Sequence, residues 1–194
     1  MFPRTFLFLA AALFLAGCLP QSKNPIAPPA QTFADSRLKG VWEQKDANER
    51  SYFHMARRTE RGIPWLNVVD VDHRGEGKGL HAEGYTALSA KIGAHCFLSF
   101  RKLPLDSTPA TRGTYSVARY DFTGGGDLRI WLVSEDALAN AVRAGRLHGT
   151  VRGSGFSRDV TLTDSSARLA EFFAAGNVEQ LFSNKPMILT RVRR

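Results

Sequence analysis

Cysteine is scarce in this chain of 194 residues, which has only Cys18 and Cys96. Two cysteines allow one disulfide at most, so a disulfide-stapled scaffold is excluded. The histidines, His54, His73, His81, His95 and His148, never fall into H-x-x-x-H or H-E-x-x-H spacing, so no metal site is expected from them. No apolar run reaches the roughly 20 residues of a spanning helix. Acidic side chains are also few, 18 against 26 Lys and Arg, for a formal charge of +8. The basic residues are scattered and form no block: Arg57-Arg58, Arg61, Arg101-Lys102, Arg143, Arg146, Arg193-Arg194. Such a charge favours acidic partners or anionic surfaces, although an Arg-rich codon usage would produce it equally well.

Catalytic and ligand motifs are mostly missing. Gly124-Gly125-Gly126 has no following Lys-Ser/Thr, so it reads as a hairpin turn and not as a phosphate cradle. Gly153-Ser154-Gly155 is an incomplete G-x-S-x-G. Asp70, Asp72 and Gly75 fit part of a calcium loop, but Arg74 and His81 occupy positions that need oxygen ligands. Glu43, Glu83, Glu135 and Glu171 could supply a carboxylate pair for hydrolysis, and each is expected as a solvated surface group. The sequence therefore assigns no catalytic residue, no metal and no cofactor.

What is present begins at the N-terminus. Arg4 precedes an apolar run from Phe6 to Leu15, followed by Leu15-Ala16-Gly17-Cys18. A charged start, a short apolar stretch and small residues are the order of a secretory signal. With cysteine after the small pair, the stretch resembles the bacterial lipobox. The resemblance implies removal of residues 1–17, with Leu15, Ala16 and Gly17 read by the processing machinery. It implies diacylglycerol on the Cys18 thiol, a further acyl chain such as palmitate on its amine, and a membrane anchor. Two or more chains hold a protein on a bilayer durably, where one holds it weakly. Leu19 after the cysteine implies, by the enterobacterial sorting pattern, delivery to the outer membrane, facing the periplasm. Cys96 would then be a lone thiol, and its apolar neighbours Phe97, Leu98 and Phe100 predict that it is buried and inert. His95, its neighbour, would point to the opposite strand face.

Residues 18–34 are expected to form an extended tether, because Pro20, Pro25, Pro28 and Pro29 exclude a helix. One globular domain is expected over residues 35–194. Strands are predicted over 38–43, 51–59, 63–72, 81–91, 94–103, 113–122, 127–133, 147–152, 158–162 and 186–193, from alternating and β-branched runs between turn signals. Helices are predicted over 135–144, capped by Ser134, and 165–175, capped by Thr163 or Asp164. Tyr115, Val117 and Arg119 would share one strand face, and Ala118, Tyr120 and Phe122 the other. Both faces are partly apolar, which fits a small barrel covered by two helices or one with an interior pocket.

Gly40-Val41-Trp42 on the first strand is similar to the lipocalin G-x-W signature, and Arg191 stands where that family's late Arg packs over the Trp. The resemblance implies a mainly β fold with two short helices, an antiparallel meander forming a lipocalin-like barrel or half-barrel. A helix between Val133 and Leu147 and the lack of Thr before Tyr120-Asp121 depart from the family pattern. As a whole the chain resembles the small lipoproteins of Gram-negative bacteria, which include inhibitors and immunity proteins.

The expected function is a non-enzymatic binding module, with a periplasmic protein or an anionic envelope component as partner and no nucleic acid. A lipid or other small apolar ligand, lined by Trp42, Phe53, Phe100 and Phe122, is the alternative. An envelope hydrolase is the second alternative; convergence of Asp70, Asp72, His73, His81 and Glu83 in one pocket would favour it.

Overall fold

The computed structural model describes residues 19–45, 50–73, 79–103, 113–153 and 158–193. The lipobox, Cys18, most of the Arg74–Gly79 turn, the loop 105–112 and Ser154 lie outside the described residues.

Eight strands form a closed antiparallel barrel. They are β2 (Gly40–Lys45), β3 (Arg50–Glu60), β4 (Ile63–His73), β5 (Leu80–Ile92), β6 (His95–Leu103), β7 (Ser116–Phe122), β8 (Leu128–Leu132) and β11 (Met187–Arg191). Each pairs with the next, and β11 closes the ring between β8 and β2. A second, three-stranded sheet orders β1 (Gln21–Ser22), β10 (Asp159–Leu162) and β9 (Gly149–Arg152). Helices α1 (Glu135–Arg143) and α2 (Ser166–Ala175) pack with it. The fold is mostly β with two short helices and has a lipocalin-like barrel.

The period-two pattern of each strand makes two cores. Inward-facing Trp42, Phe53, Met55, Leu66, Leu98, Tyr120, Leu128 and Leu189 fill the barrel. An eight-stranded barrel is just wide enough for its side chains to fill the inside. Outward-facing Phe97, Val117 and Trp131 meet Leu138, Leu147, Leu162, Leu169 and Phe173 of the covering layer. Both faces of β6 and β7 are thus buried, which explains why neither reads as clean alternation. Each fully buried large apolar side chain stabilises the fold by about 1.5–3 kcal/mol.

The turn between β3 and β4 is two residues long, with Arg61 at φ 51° and Gly62 at φ 78°. Positive φ at both central positions is the hairpin turn that matches strand twist. Ser134 caps α1 as expected, its Oγ accepting from the Ala137 N–H at 3.3 Å. The cap of α2 is Ser165, not Thr163 or Asp164. Asp164 is used elsewhere: its buried carboxylate accepts the His148 backbone N–H at 2.6 Å and meets His148 Nδ1 at 2.7 Å.

The expected tether is corrected by the structure. The segment 19–39 is mostly extended, broken by single helical turns at Pro29–Gln31 and Ser36–Leu38, and it runs as a strap along the outside of the barrel to its base. Ser22 pairs with Tyr115 in both directions at 2.7 Å. The Ile26 N–H donates to Ser99 Oγ at 2.9 Å, and the Ile26 side chain is fully buried in the outer core. Further on, the Phe33 N–H donates to the Ser89 carbonyl at 3.0 Å. Ile26, Ala27 and Leu38 give this segment an apolar face, and free strand edges and Ser99 satisfy its backbone. The domain therefore begins well before residue 35. Among the described residues, no helix is long and apolar enough to cross a membrane.

Candidate functional site

The two ends of the barrel differ in chemistry. At the base, a single helical turn (Ser36–Leu38) plugs the opening, with Leu38 fully buried. The Trp42 indole N–H donates to the Leu38 carbonyl at 2.8 Å. The Arg191 guanidinium lies 4.3 Å from the centre of the Trp42 ring and donates to the Lys39 and Arg37 carbonyls. Gly40 has φ +141°, and a Cβ there would lie 2.5 Å from Arg191 Nη1. The G-x-W tripeptide and the late Arg thus interlock at the base, as the resemblance implies. Asp35 completes the plug: it accepts from Arg37 and from the Tyr120 hydroxyl at 3.0 Å. Burial works to raise the Asp35 pKa, but these hydrogen bonds outweigh it and hold it low.

The opposite, polar end carries the charged cluster. Asp70 pairs in register with Glu83, and Asp72 with His81. All four positions lie on the inner face, in phase with Leu66 and Val68. Glu83 accepts from Lys102 Nζ and the Tyr85 hydroxyl, and His81 Nε2 lies 3.2 Å away. Burial pushes the Glu83 carboxyl up, but these partners prevail and bring it down to about 2. The Tyr85 hydroxyl is pushed up by burial and by its bond to Glu83. Ser51 Oγ donates to Asp72 Oδ1. Asp70 is only 4 % exposed, and its Oδ1 has no hydrogen-bond partner. Burial, then the nearby Asp72 and Glu83, raises its carboxyl to about 7. Glu83 and Glu43 are therefore not the solvated groups expected; their side chains are 14 % and 13 % exposed. Glu83 departs from the expectation because Lys102 reaches it from the neighbouring strand β6 and Tyr85 from two residues along β5.

The convergence that would favour a hydrolase is met in part. Asp70, Asp72, His81 and Glu83 share the inner face, while the side chain of His73 lies outside the described residues. Yet the cleft at this end, of about 160 Å³, is lined by Leu19, Gln21, Tyr85, Phe100, Lys102 and Ser116 among others, and by none of those carboxylates. Among the described residues no group of three His, Cys, Asp or Glu side chains could hold a metal ion.

Of the four residues expected to line an apolar pocket, Trp42, Phe53 and Phe122 pack within the barrel, Trp42 and Phe122 with ring centres 6.0 Å apart. Only Phe100 reaches the cleft, edge-on to Tyr85. Cys96 is a free, partly buried thiol that packs with the barrel interior. His95 points to the other face, against Phe97.

A third feature lies at the base. The last β2–β3 pair is Gly40–Met55, but the β3–β4 hairpin continues to Glu60–Ile63. Residues 56–61 are all exposed, and they carry Arg57, Arg58 and Arg61. Arg58 pairs with Glu60 at 2.6 Å. The hairpin is a basic finger that outruns β2, and its tip from Thr59 to Pro64 also passes the last β4–β5 pair, Trp65–Leu88. No family model, no curated protein and no solved structure matches this chain, so its functional reading rests on these residues.

Proposed function

We propose that this protein is a lipid-anchored, non-enzymatic binding module of the bacterial envelope, held by Cys18 and facing the periplasm from the outer membrane. Its partner is a protein or another envelope component with an acidic surface. The observation that carries the reading is the exposed β3–β4 finger, where Arg57, Arg58 and Arg61 gather past the last β2 pair. Encounter with an acidic surface through such a finger is accelerated by charge and weakened by salt. The filled barrel interior argues against the apolar-ligand alternative, since Trp42, Phe53 and Leu189 occupy the space a lipid would need.

The test uses protein carrying Cys18→Ser, which is expected to be soluble where the wild type is membrane-bound. It is used to capture partners from envelope extract at low and high salt. Capture of an acidic partner that is salt-sensitive and lost with Arg57→Ala, Arg58→Ala and Arg61→Asn together supports the reading. Stoichiometric co-purifying lipid without a protein partner would reverse it.

One observation favours the second reading, a hydrolase. Asp70 and Glu83 are cross-strand carboxyl groups with pKa values near 7 and 2, and pairs driven apart in this way mark acid and base roles in enzymes. A cell-wall or lipid hydrolysis assay in which Asp70→Asn abolishes turnover, with the fold intact, would establish it.

A further inference from the structure

We infer that the polar end of the barrel is seated on the bilayer, so that the Arg finger is held at the far side of the domain from the membrane. This rests on the proposed anchor at Cys18. The strap starts at the polar end: Leu19 and Gln21 line the cleft there, and the Gln21 amide donates to Ser116 Oγ at 2.8 Å. Cys18 is covalently next to Leu19, so an acyl chain on Cys18 enters the bilayer within a few ångströms of that end. A free tether would have let the domain tumble; a packed strap does not.

The surface beside that point fits a membrane interface. On the outer face of the barrel Val69 pairs with Gly84 and Gly84 with Leu103, placing the three in one row. Leu80 stands at the adjoining strand end. Val69 and Leu103, 44 % and 39 % exposed, flank Gly84, and Leu80, 68 % exposed, lies on the same face about 13 Å further along β5 towards the rim. Leu103 lies over Gly84, where a Cβ would come within 3.7 Å of its own. Exposed apolar groups that share one face at one end mark an interaction site, whereas scattered single ones need no explanation. At the same end Arg50, 3.9 Å from Glu43, and Lys102, paired with Glu83, keep 64 % and 45 % of their side chains exposed, within reach of anionic headgroups. Of the possible occupants, a bilayer is the one the anchor brings to this patch.

The finger then stands clear of the lipid. From Arg50 to Glu60, β3 has 11 residues. At about 3.3 Å per residue and a tilt of about 40°, it rises roughly 25 Å along the barrel axis.

The test places an environment-sensitive fluorophore on the full lipidated protein in a Cys96→Ser background, at Leu80→Cys, Leu103→Cys or Gly125→Cys. Gly125 sits in the β7–β8 turn at the base. The vesicles contain phosphatidylethanolamine and phosphatidylglycerol, with a spin label at the lipid headgroup or the upper acyl chain. Quenching several-fold stronger at positions 80 and 103 than at 125 is the expected result. Equal quenching at all three, or stronger quenching at 125, would overturn the orientation. Mass spectrometry of the N-terminal peptide separates the two levels. An acylated Cys18 with unquenched rim labels sinks the orientation alone, whereas an unmodified Cys18 removes the anchor and this inference with it.

Discussion

Asp70 and Glu83 face each other across β4 and β5, and their surroundings drive their carboxyl groups in opposite directions, to about 7 and about 2. The difference lies in donors. Lys102, Tyr85 and His81 converge on Glu83, while one oxygen of Asp70 is buried without a partner.

Asp70 binds its proton more tightly in the folded chain than in the unfolded one, where its pKa is the ordinary 3.8 of an aspartate. Its burial therefore costs little at low pH and increasingly more as pH rises from about 4 to about 7. Asp70→Asn removes that cost. The variant should gain stability over the wild type by an amount that grows with pH, of order 3–4 kcal/mol across the window. Urea unfolding at about pH 4 and about pH 8 measures it; an equal difference at the two values would refute the assignment.

Glu83 has the opposite sign. Its lowered pKa contributes stability that is present above about 4.5 and lost as pH falls through about 2. Glu83→Gln should be less stable than the wild type at neutral pH, and the two should converge in acid. Thermal melts along a pH series would show a gap that closes, and a constant gap would count against the Lys102 and Tyr85 pairing.

The strap is tested by Ile26→Ala. A side chain on a free tether can be truncated without effect, whereas one buried in the outer core should lose about 2–4 kcal/mol. Protein beginning at Asp35 should likewise melt well below protein beginning at Leu19. Unchanged melting in both cases would mean that the segment does not hold the fold together.

At the base, Arg191→Lys should destabilise by about 1–3 kcal/mol, because an ammonium cannot both stack flat on Trp42 and donate to two carbonyls. Gly40→Ala should cost a similar amount through its φ and the contact with Arg191. Denaturant midpoints for the two single variants and the double variant would expose the coupling; additive losses would argue against a shared lock.

Much of the architecture was legible in local pattern. Alternation and turn signals placed the barrel strands and the two helices, Ser134 announced α1, and Gly40, Trp42 and Arg191 pointed to the base lock. What stayed hidden depends on contacts between distant residues. The prolines of residues 20–29 fixed an extended backbone but not whether it lay on a surface; only the pairing of Ser22 with Tyr115 and the burial of Ile26 against Ser99 decide that. Asp164 looked like a helix cap because caps are local, yet His148 claims its carboxylate. Glu83 looked solvated because Lys102 lies across the sheet.

The ring of strands also sets the order in which this protein can come into being. β2 finds its second neighbour only when β11 arrives, and Gln21 pairs with Thr161. A chain that still lacks β11 cannot close the ring, and such distant pairings form slowly. Closure of the barrel therefore waits until nearly all of the chain has been made, which suits the proposed export of an open chain through a narrow translocation channel.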